Sequence, residues 1–167
     1  MITAEQIKAK LKLRPHPEEG GYYAETYRSG TWISKEALPA GYAGARSIST
    51  AIYYLLTPDT FSAMHRLLTD EVFHFYLGDP AEMLQLWPDG SGKILTLGTE
   101  ILHGMHLQAV VPKGVWQGAR LAPGGGFALL GTTVSPGFDP ADYESGSRAS
   151  LLGSHPRFRD QIIALTR

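Results

Sequence analysis

The side chains best suited to acid-base chemistry lie in the stretch FSAMHRLLTDEVFHFYLG, from Phe61 to Gly78. His65 is followed six residues later by Glu71. An imidazole titrates near neutral pH, and a neighbouring carboxylate can orient it and hold its proton. We therefore predict that His65 and Glu71 form a catalytic acid-base pair. The alternative is a buried histidine whose hydrogen bonds are satisfied and which belongs to no site.

A second group of polar side chains lies in GGYYAETYR, which ends at Arg28. Alternation along a strand places Tyr23, Glu25 and Tyr27 on one face and Arg28 on the other. We predict Tyr23 and Tyr27 as catalytic proton donors, and Glu25 and Arg28 as substrate-binding residues, with Arg28 pairing with an anionic group. The alternative is an edge strand that packs aromatic rings at a dimer interface, and both hold if the strand is exchanged between subunits.

Gln117 and His74 complete the predicted substrate-binding set. An amide both donates and accepts hydrogen bonds, so Gln117 can fix the carbonyl or carboxylate of a ligand. Alternation along EVFHFYLG places Glu71 and His74 on opposite faces of one strand. His74 therefore reaches a ligand beside Glu71 only if a bulge shifts the register.

Composition excludes several classes of protein. The formal net charge is −1, with no basic or acidic block, so nothing favours nucleic acid or an anionic membrane as a partner. The absence of cysteine excludes disulfides, thiolate metal sites and a cysteine nucleophile. No stretch approaches the roughly 20 apolar residues of a membrane span, and charges occupy the place of a signal peptide's apolar run. We expect a cytoplasmic protein whose partner is a small-molecule ligand.

The elements that must position these residues are mostly short strands. Nine segments rich in β-branched and aromatic residues alternate with turns that contain Gly or Pro. The turns PDGSG (Pro88–Gly92) and PGGG (Pro123–Gly126) each predict a hairpin. SPGFDPADYE predicts a structured loop over one end of the barrel, with Asp142 and Glu144 exposed.

Helix signals occur only near the two ends of the chain. Thr3 and Gln6 have capping-box spacing, which predicts a helix from Ala4 to Leu11. HPRFRDQIIALTR predicts a C-terminal helix over about 156–166. The whole pattern predicts an all-β fold, a single-domain jelly-roll β-barrel with short N- and C-terminal helices. The predicted domain covers 1–167, with its core at about 16–144.

Two motifs in this chain resemble those of cupins. The first cupin motif contains His-x-His, three or four residues, Glu, six residues and Gly; here His65-Arg66-Leu67 is followed at that spacing by Glu71 and Gly78. The second contains Pro-x-Gly, two residues and His; here Pro112-Lys113-Gly114 is followed by Gln117. Leu67 and Gln117 stand where the family has histidines.

The resemblance is closest to a cupin-like family of unknown function. Its members look like HPEEGGYYAETYRS, STAIYYLL, HRLLTDEVFHFYLGDP, VPKGVWQ and SPGFDPADYE, which together span most of His16 to Glu144. The run EEGGYYAETYR is also distantly similar to one found in cupin 3,5-epimerases of nucleotide-linked keto-deoxysugars. That similarity places the catalytic histidine of those enzymes at His65, with Gly20 where they have an arginine.

The cupin resemblance also implies candidate ligands for a divalent metal. Cupins normally hold manganese, iron, nickel or zinc with three His and one Glu. The residues at the corresponding positions that could bind are His65, Glu71 and Gln117, although an amide oxygen is a weak ligand for transition metals. Without a metal, Gln117 would instead hydrogen-bond a ligand.

These observations predict a homodimeric, small-molecule-binding cupin joined along edge strands. The favoured function is isomerisation or epimerisation of a sugar or related polar metabolite. In that reaction His65, assisted by Glu71, abstracts a proton next to a carbonyl, and Tyr23 or Tyr27 returns one. The alternatives are a non-catalytic metabolite-binding or sensor cupin and a metal-dependent oxygenase or lyase.

Overall fold

The chain consists of short strands with helices near its two ends. The computed structural model describes residues 2–167. In chain order the elements are α1 (Ala4–Leu11), β1 (Arg14–Pro15), β2 (Tyr22–Arg28), β3 (Trp32–Ile33), β4 (Arg46–Ser47), β5 (Thr50–Leu56), β6 (Phe61–Leu67), β7 (Asp70–Gly78), β8 (Ala81–Leu86), β9 (Gly92–Leu97), β10 (Gln108–Val111), β11 (Trp116–Leu121), β12 (Ala128–Ser135), β13 (Tyr143–Ser145), α2 (Arg148–Ser154) and α3 (Arg159–Ala164).

The strands form two large sheets and one small ribbon. The six-stranded sheet has the order β1-β2-β5-β12-β7-β10, the five-stranded sheet has the order β13-β6-β11-β8-β9, and β3 pairs with β4. Successive strands from β5 to β12 pass back and forth between the two large sheets, except at β8-β9. This is the antiparallel double-sheet arrangement of a jelly roll, and it confirms the predicted fold class.

Only one of the two predicted hairpins is present. PDGSG joins β8 to β9, which pair antiparallel, and the Trp87 N–H donates to the Ser91 carbonyl across 2.9 Å. The hairpin predicted around Pro123–Gly126 is wrong, because β11 pairs with β6 and β8 whereas β12 pairs with β5 and β7. In the same way β6 and β7 belong to different sheets. His65 and Glu71 therefore lie on facing walls of the barrel.

Apolar side chains fill the rest of the barrel, and apolar residues of the helices pack on both sheets. Along β7, Phe73 and Phe75 follow Glu71 on the inner face and belong to the cluster between the sheets. Ile7 of α1 packs on the six-stranded sheet. Ile162 of α3 packs on the five-stranded sheet. Burying this surface removes it from water, and it is the main source of stability for the barrel.

The helices agree with prediction at the N-terminus and differ at the C-terminus. α1 has the predicted bounds and the Thr3–Gln6 capping box. The predicted single helix over 156–166 is shorter, because a 3₁₀ turn at Pro156–Phe158 separates α2 from α3. Proline lacks a backbone N–H and disfavours helical geometry in the residue before it, so the helical run breaks there. No helix in residues 2–167 is long and apolar enough to cross a membrane.

The outer edge of β2 is open over much of its length. β1 pairs only with Tyr22 and Tyr23, and no other described strand covers the rest of that edge. Tyr27 is 55% exposed. The predicted homodimer along edge strands stays a prediction, and this edge is the surface that it would use.

Residues 136–145, here called the cover segment, close one end of the barrel. The Phe138 N–H donates to Thr50 Oγ1 across 2.9 Å, and β13 pairs with β6. Arg46 donates two hydrogen bonds to Asp142, at 2.7 and 2.6 Å, and both side chains are buried. The prediction that Asp142 is exposed is therefore wrong, because this ion pair anchors the segment. Glu144 is exposed, as predicted, and pairs with Arg66.

Asp142→Ala should lower the free energy of unfolding by about 3–5 kcal/mol, because it leaves the Arg46 guanidinium buried without its partner. Urea unfolding followed by tryptophan fluorescence measures this change. The double substitution Arg46→Met with Asp142→Leu should recover most of the loss, because no unpaired charge then remains in the interior.

The matched control is Glu144→Gln, which breaks the exposed Arg66–Glu144 pair of the same segment. We expect it to change the free energy of unfolding by less than about 1 kcal/mol. Equal effects of Asp142→Ala and Glu144→Gln would contradict the anchoring role of the buried pair.

Candidate functional site

A cavity of about 280 Å³ lies between the two sheets beneath the cover segment. Its wall combines inner-face residues of β2, β5, β6, β7 and β12 with the segment around β1 and with the cover segment. The titratable side chains on this wall are Arg14, His16, Glu19, Tyr23, Glu25, Arg28, His65, Glu71 and Tyr143. The cavity is therefore the place where the chain concentrates groups capable of proton transfer.

His65 projects from β6 and is 2% exposed. Its Nδ1 lies 2.7 Å from the Ala63 carbonyl oxygen. A carbonyl only accepts, so Nδ1 carries the hydrogen and the neutral ring has its lone pair on Nε2. The ring stacks on Tyr143 at 5.0 Å between centroids. These two contacts fix the imidazole so that Nε2 can act as a base.

Glu19 is the carboxylate nearest to this imidazole, and the sequence motifs did not indicate it. Its Oε2 lies 3.9 Å from His65 Nε2 and 3.9 Å from His16 Nε2. Its Oε1 accepts a hydrogen bond from the Ser62 hydroxyl on β6. The distance to His65 is too long for a hydrogen bond, which leaves the Nε2 lone pair of His65 available to a ligand. The only feature of the sequence that pointed to Glu19 is the pair of acidic residues, Glu18 and Glu19, before Gly20 and Gly21.

His16 lies on the other side of the same carboxylate. The backbone N–H of Glu19 donates to His16 Nδ1 across 3.0 Å, so the neutral ring carries its hydrogen on Nε2. Burial lowers the pKa of His16, with the charge of Glu19 acting in the opposite direction. The two imidazoles beside Glu19 therefore present opposite groups, an N–H from His16 and a lone pair from His65.

Glu71 faces His65 from β7 and is bound to Gln117 rather than to the imidazole. Gln117 Nε2 lies 2.5 Å from Glu71 Oε2, and Gln117 is opposite His65 in the β11–β6 register. Burial raises the pKa of Glu71 above its ordinary value of 4.5, and the charge of Glu19 raises it further. His65 and hydrogen bonds from Gln117 and Thr132 act in the opposite direction. Glu19 is therefore the carboxylate placed to assist His65. Gln117 contacts Glu71 rather than His65 through its side-chain amide.

A bulge in β2 changes which side chains face the cavity. The pairing with β5 shifts between Glu25 and Tyr27, so strict alternation fails at this point. Tyr23, Glu25 and Arg28 line the cavity, whereas Tyr27 is exposed. The prediction that Tyr27 shares a face with Tyr23 is wrong, and Tyr27 is not available as a proton donor in the cavity.

Arg28 is already neutralised by Glu25. Its Nε donates to Glu25 Oε1 at 3.0 Å and its terminal nitrogen to Oε2 at 2.7 Å. The same guanidinium donates to the Phe138 carbonyl of the cover segment at 3.3 Å. This pair therefore joins β2 to the cover segment at the cavity mouth, which leaves little free charge to bind an anion.

His74 lies outside the cavity. Its Nε2 is 3.1 Å from Thr133 Oγ1 and its Nδ1 is 2.9 Å from Gln108 Nε2, both on neighbouring strands of the six-stranded sheet. No register shift separates His74 from Glu71 in the pairing of β7, so alternation turns its side chain to the outer face. The prediction of His74 as a substrate-binding residue is wrong for this reason.

Tyr143 is a further site residue that the motifs did not indicate. It belongs to the cover segment, lines the cavity and stacks on His65. Burial raises the pKa of Tyr143 to about 12. Its phenol therefore keeps its proton at neutral pH and can donate a hydrogen bond to an oxygen in the cavity.

The predicted metal ligands His65, Glu71 and Gln117 do not fit a transition metal. Among residues 2–167, no three His, Asp or Glu side chains converge closely enough to hold an ion. The apolar side chain of Leu67 lines the wall where a cupin motif has a second imidazole. The Gln117 amide and the Glu71 carboxyl are hydrogen-bonded to each other, so neither is free to bind an ion together with His65.

Comparison with known families identifies the chain. A model described as cupin superfamily (DUF985) matches residues 5–146. The chain is a cupin of this family. An uncharacterised protein of Saccharomyces cerevisiae is 34% identical in an alignment of 133 residues that covers 75% of this cupin and 66% of the yeast protein. This cupin thus spans just under two thirds of that relative's length.

Solved structures agree with this assignment. A hypothetical protein from Leishmania major aligns with a TM-score of 0.87 and 31% identity over 99% of each chain. A protein from Shewanella oneidensis aligns with a TM-score of 0.86 and 33% identity over 100% of this cupin and 99% of that chain. Oxalate decarboxylase from Bacillus subtilis aligns over 92% of this cupin and 37% of that chain, with a TM-score of 0.53; at 14% identity it shows the fold alone. Membership of the superfamily suggests that the barrel binds a small molecule.

Glu71→Gln should remove a pH-dependent part of the stability. Because the folded pKa of Glu71 is raised, the folded protein binds more protons than the unfolded chain between pH 4.5 and that pKa. The wild-type free energy of unfolding therefore falls over this range as pH rises. Relative to wild type, the variant should gain about 1.4 kcal/mol for each unit by which the pKa is raised.

Urea unfolding at pH values from 4 to 8 measures this difference. Glu144→Gln, which also removes one carboxyl group but at an exposed position, is the control and should follow the wild-type profile. A Glu71→Gln variant whose stability relative to wild type does not change with pH would refute the raised pKa.

Proposed function

We propose that this cupin is an isomerase or epimerase that moves a proton on a small polyhydroxylated carbonyl compound. The observation that carries the proposal is the arrangement of His65 beside Glu19. The Nδ1 of His65 is held by the Ala63 carbonyl, and its Nε2 lies 3.9 Å from Glu19 Oε2 on the cavity wall. An oriented imidazole next to a carboxylate can accept a proton and stabilise the resulting positive charge.

The charges around the cavity favour a ligand without net negative charge. Glu19 and Glu71 occupy the region around His65, and the guanidinium of Arg28 is taken up by Glu25. Hydroxyl groups donate to carboxylates, and the rings on the wall can cover the apolar faces of a sugar. A cavity of about 280 Å³ suits a ligand the size of a monosaccharide.

The proposed step is proton abstraction next to a carbonyl. His65 Nε2 removes the proton from the carbon, and the C–H electron pair moves to the carbonyl oxygen to give an enolate. Tyr143, a neutral phenol at neutral pH, donates a hydrogen bond to that oxygen, while Glu19 stabilises the imidazolium. Tyr23 delivers a proton to the carbon from the opposite side, and the proton on His65 passes back to Tyr23 through the ligand hydroxyls or water.

The similarity of EEGGYYAETYR to the epimerase run supports this class of reaction. The structure brings Tyr23 of that run into the same cavity as His65. Glu71, which was predicted to assist His65, instead binds Gln117, and Glu19 takes the assisting role in the proposal. A ligand that binds without proton exchange would favour the non-catalytic sensor alternative.

Deuterium exchange tests the proposal directly. Wild-type protein is incubated in D₂O with D-fructose, D-tagatose or dihydroxyacetone, and NMR follows loss of the proton signal next to the carbonyl. Exchange should occur with at least one of these ketoses, and His65→Asn should slow it by about 100-fold or more, because the base is lost.

The matched control is His74→Asn, which removes an imidazole from the outer face of the same barrel. It should leave the exchange rate unchanged. Equal exchange by wild type and His65→Asn would contradict the role of His65. Binding of a ketose, seen by saturation-transfer NMR, with no exchange by wild type would contradict catalysis and favour a binding protein.

A further inference from the structure

Two buried amide oxygens in this barrel have no hydrogen-bond donor. Within residues 2–167, Gln85 Oε1 and Gln117 Oε1 are the buried side-chain nitrogen or oxygen atoms without a partner. Gln85 is 0% exposed and Gln117 is 1% exposed. Buried acceptors normally have a hydrogen-bond donor, so two neighbouring acceptors that lack one require an explanation.

The two glutamines are neighbours across the five-stranded sheet. Gln117 of β11 and Gln85 of β8 are directly opposite in the antiparallel register, so their side chains lie on the same inner face. Gln85 Nε2 donates to the Val110 carbonyl on β10 at 3.1 Å. Gln117 Nε2 contacts Glu71 Oε2 on β7. The four groups therefore form a row. It runs from Val110 on the six-stranded sheet, through Gln85 and Gln117 on the five-stranded sheet, to Glu71 on the six-stranded sheet.

The contact between Gln117 and Glu71 admits two assignments of the hydrogen. The separation is 2.5 Å. An amide and a carboxyl group can make this contact in two ways, with the amide N–H donating to a carboxylate or with a carboxylic acid proton donating to the amide oxygen. Rotating the Gln117 amide by half a turn would place its oxygen against Glu71, and the contact would then be made by a carboxylic acid proton.

We propose that Glu71 is a neutral carboxylic acid that donates its proton to Gln117 Oε1, while Gln117 Nε2 donates to Gln85 Oε1 and Gln85 Nε2 donates to the Val110 carbonyl. This single chain gives a donor to both unpartnered oxygens. It lies where a metal-binding cupin would have ligands from the same two motifs, and it uses Glu71 and Gln117 as hydrogen-bonding groups instead. The assignment concerns the protein without ligand and does not depend on the proposed reaction.

The surroundings of Glu71 are consistent with a neutral carboxyl. The charged or titratable groups that act on it are Glu19, from the segment before β2, and His65 from β6. Burial and the negative charge of Glu19 both disfavour a second carboxylate in the same cavity. With Glu71 neutral, Glu19 is the carboxylate that remains to stabilise a protonated His65.

The protonation of Glu71 can be read directly by NMR. Protein labelled with ¹³C at the glutamate side-chain carboxyl is titrated from pH 4 to 9, and the Glu71 signal is assigned by its absence in Glu71→Gln. We expect the chemical shift of a protonated carboxyl at pH 7 and ionisation only above it. A carboxylate shift at pH 7 would overturn the proposal.

Gln85→Met tests whether the protonation of Glu71 depends on the whole chain of hydrogen bonds. It removes the acceptor for Gln117 Nε2, so the amide should turn to donate to Glu71, and ionisation of Glu71 should move to lower pH by about one unit. Gln108→Met, at an exposed position on the outer face, is the control and should leave the titration unchanged. An unchanged titration of Glu71 in a folded Gln85→Met variant would contradict the proposed chain of hydrogen bonds.

Metal addition gives an independent reading on the wild-type protein. Titration of wild-type protein with Zn²⁺ or Mn²⁺ should leave the Glu71 signal in place, because its proton and the Gln117 oxygen are already engaged with each other. Loss or shift of that signal at stoichiometric metal would overturn the proposal. Both readings are made without a substrate, so failure of the proposed reaction would not affect them.

Discussion

Burial of the Glu71 carboxyl between two sheets is the constraint on which the rest of the site depends. A carboxyl removed from water needs hydrogen-bond partners or a proton. Gln117 on the opposite wall provides one such partner, so the distance between the walls is set by a polar contact as well as by apolar packing. Phe73 and Phe75, next along β7, then extend an apolar core away from the site.

The polar end of the barrel is closed by ion pairs rather than by packing alone. Arg46–Asp142 is buried and holds the cover segment, while Arg28–Glu25 joins that segment to β2 at the mouth. These contacts bring Tyr143 over the ring of His65. A cavity with a fixed imidazole, a carboxylate and a phenol therefore results from long-range contacts between residues 46 to 96 positions apart in the chain, from Glu19–His65 to Arg46–Asp142.

Local patterns in the sequence predict the strands, the first helix and the cupin motifs, because alternation, capping and turn chemistry act over a few residues. They do not predict which strands share a sheet, so the pattern at Pro123–Gly126 predicts a hairpin although the turn crosses between sheets. They also cannot locate the extra residue in β2 that turns Tyr27 outward and Arg28 inward. Glu19 escaped prediction because it belongs to a loop with no periodicity, and only the folded chain brings it to His65.

Neutron diffraction from a deuterated crystal at neutral pH would test the central claim most directly, namely that His65 Nε2 is the base of the cavity and Glu19 its partner. The account predicts deuterium on His65 Nδ1 facing the Ala63 carbonyl, deuterium on His16 Nε2, and Glu19 as the carboxylate next to His65 Nε2. A metal ion bound to His65 Nε2, or a neutral His65 with deuterium on Nε2 alone, would contradict it.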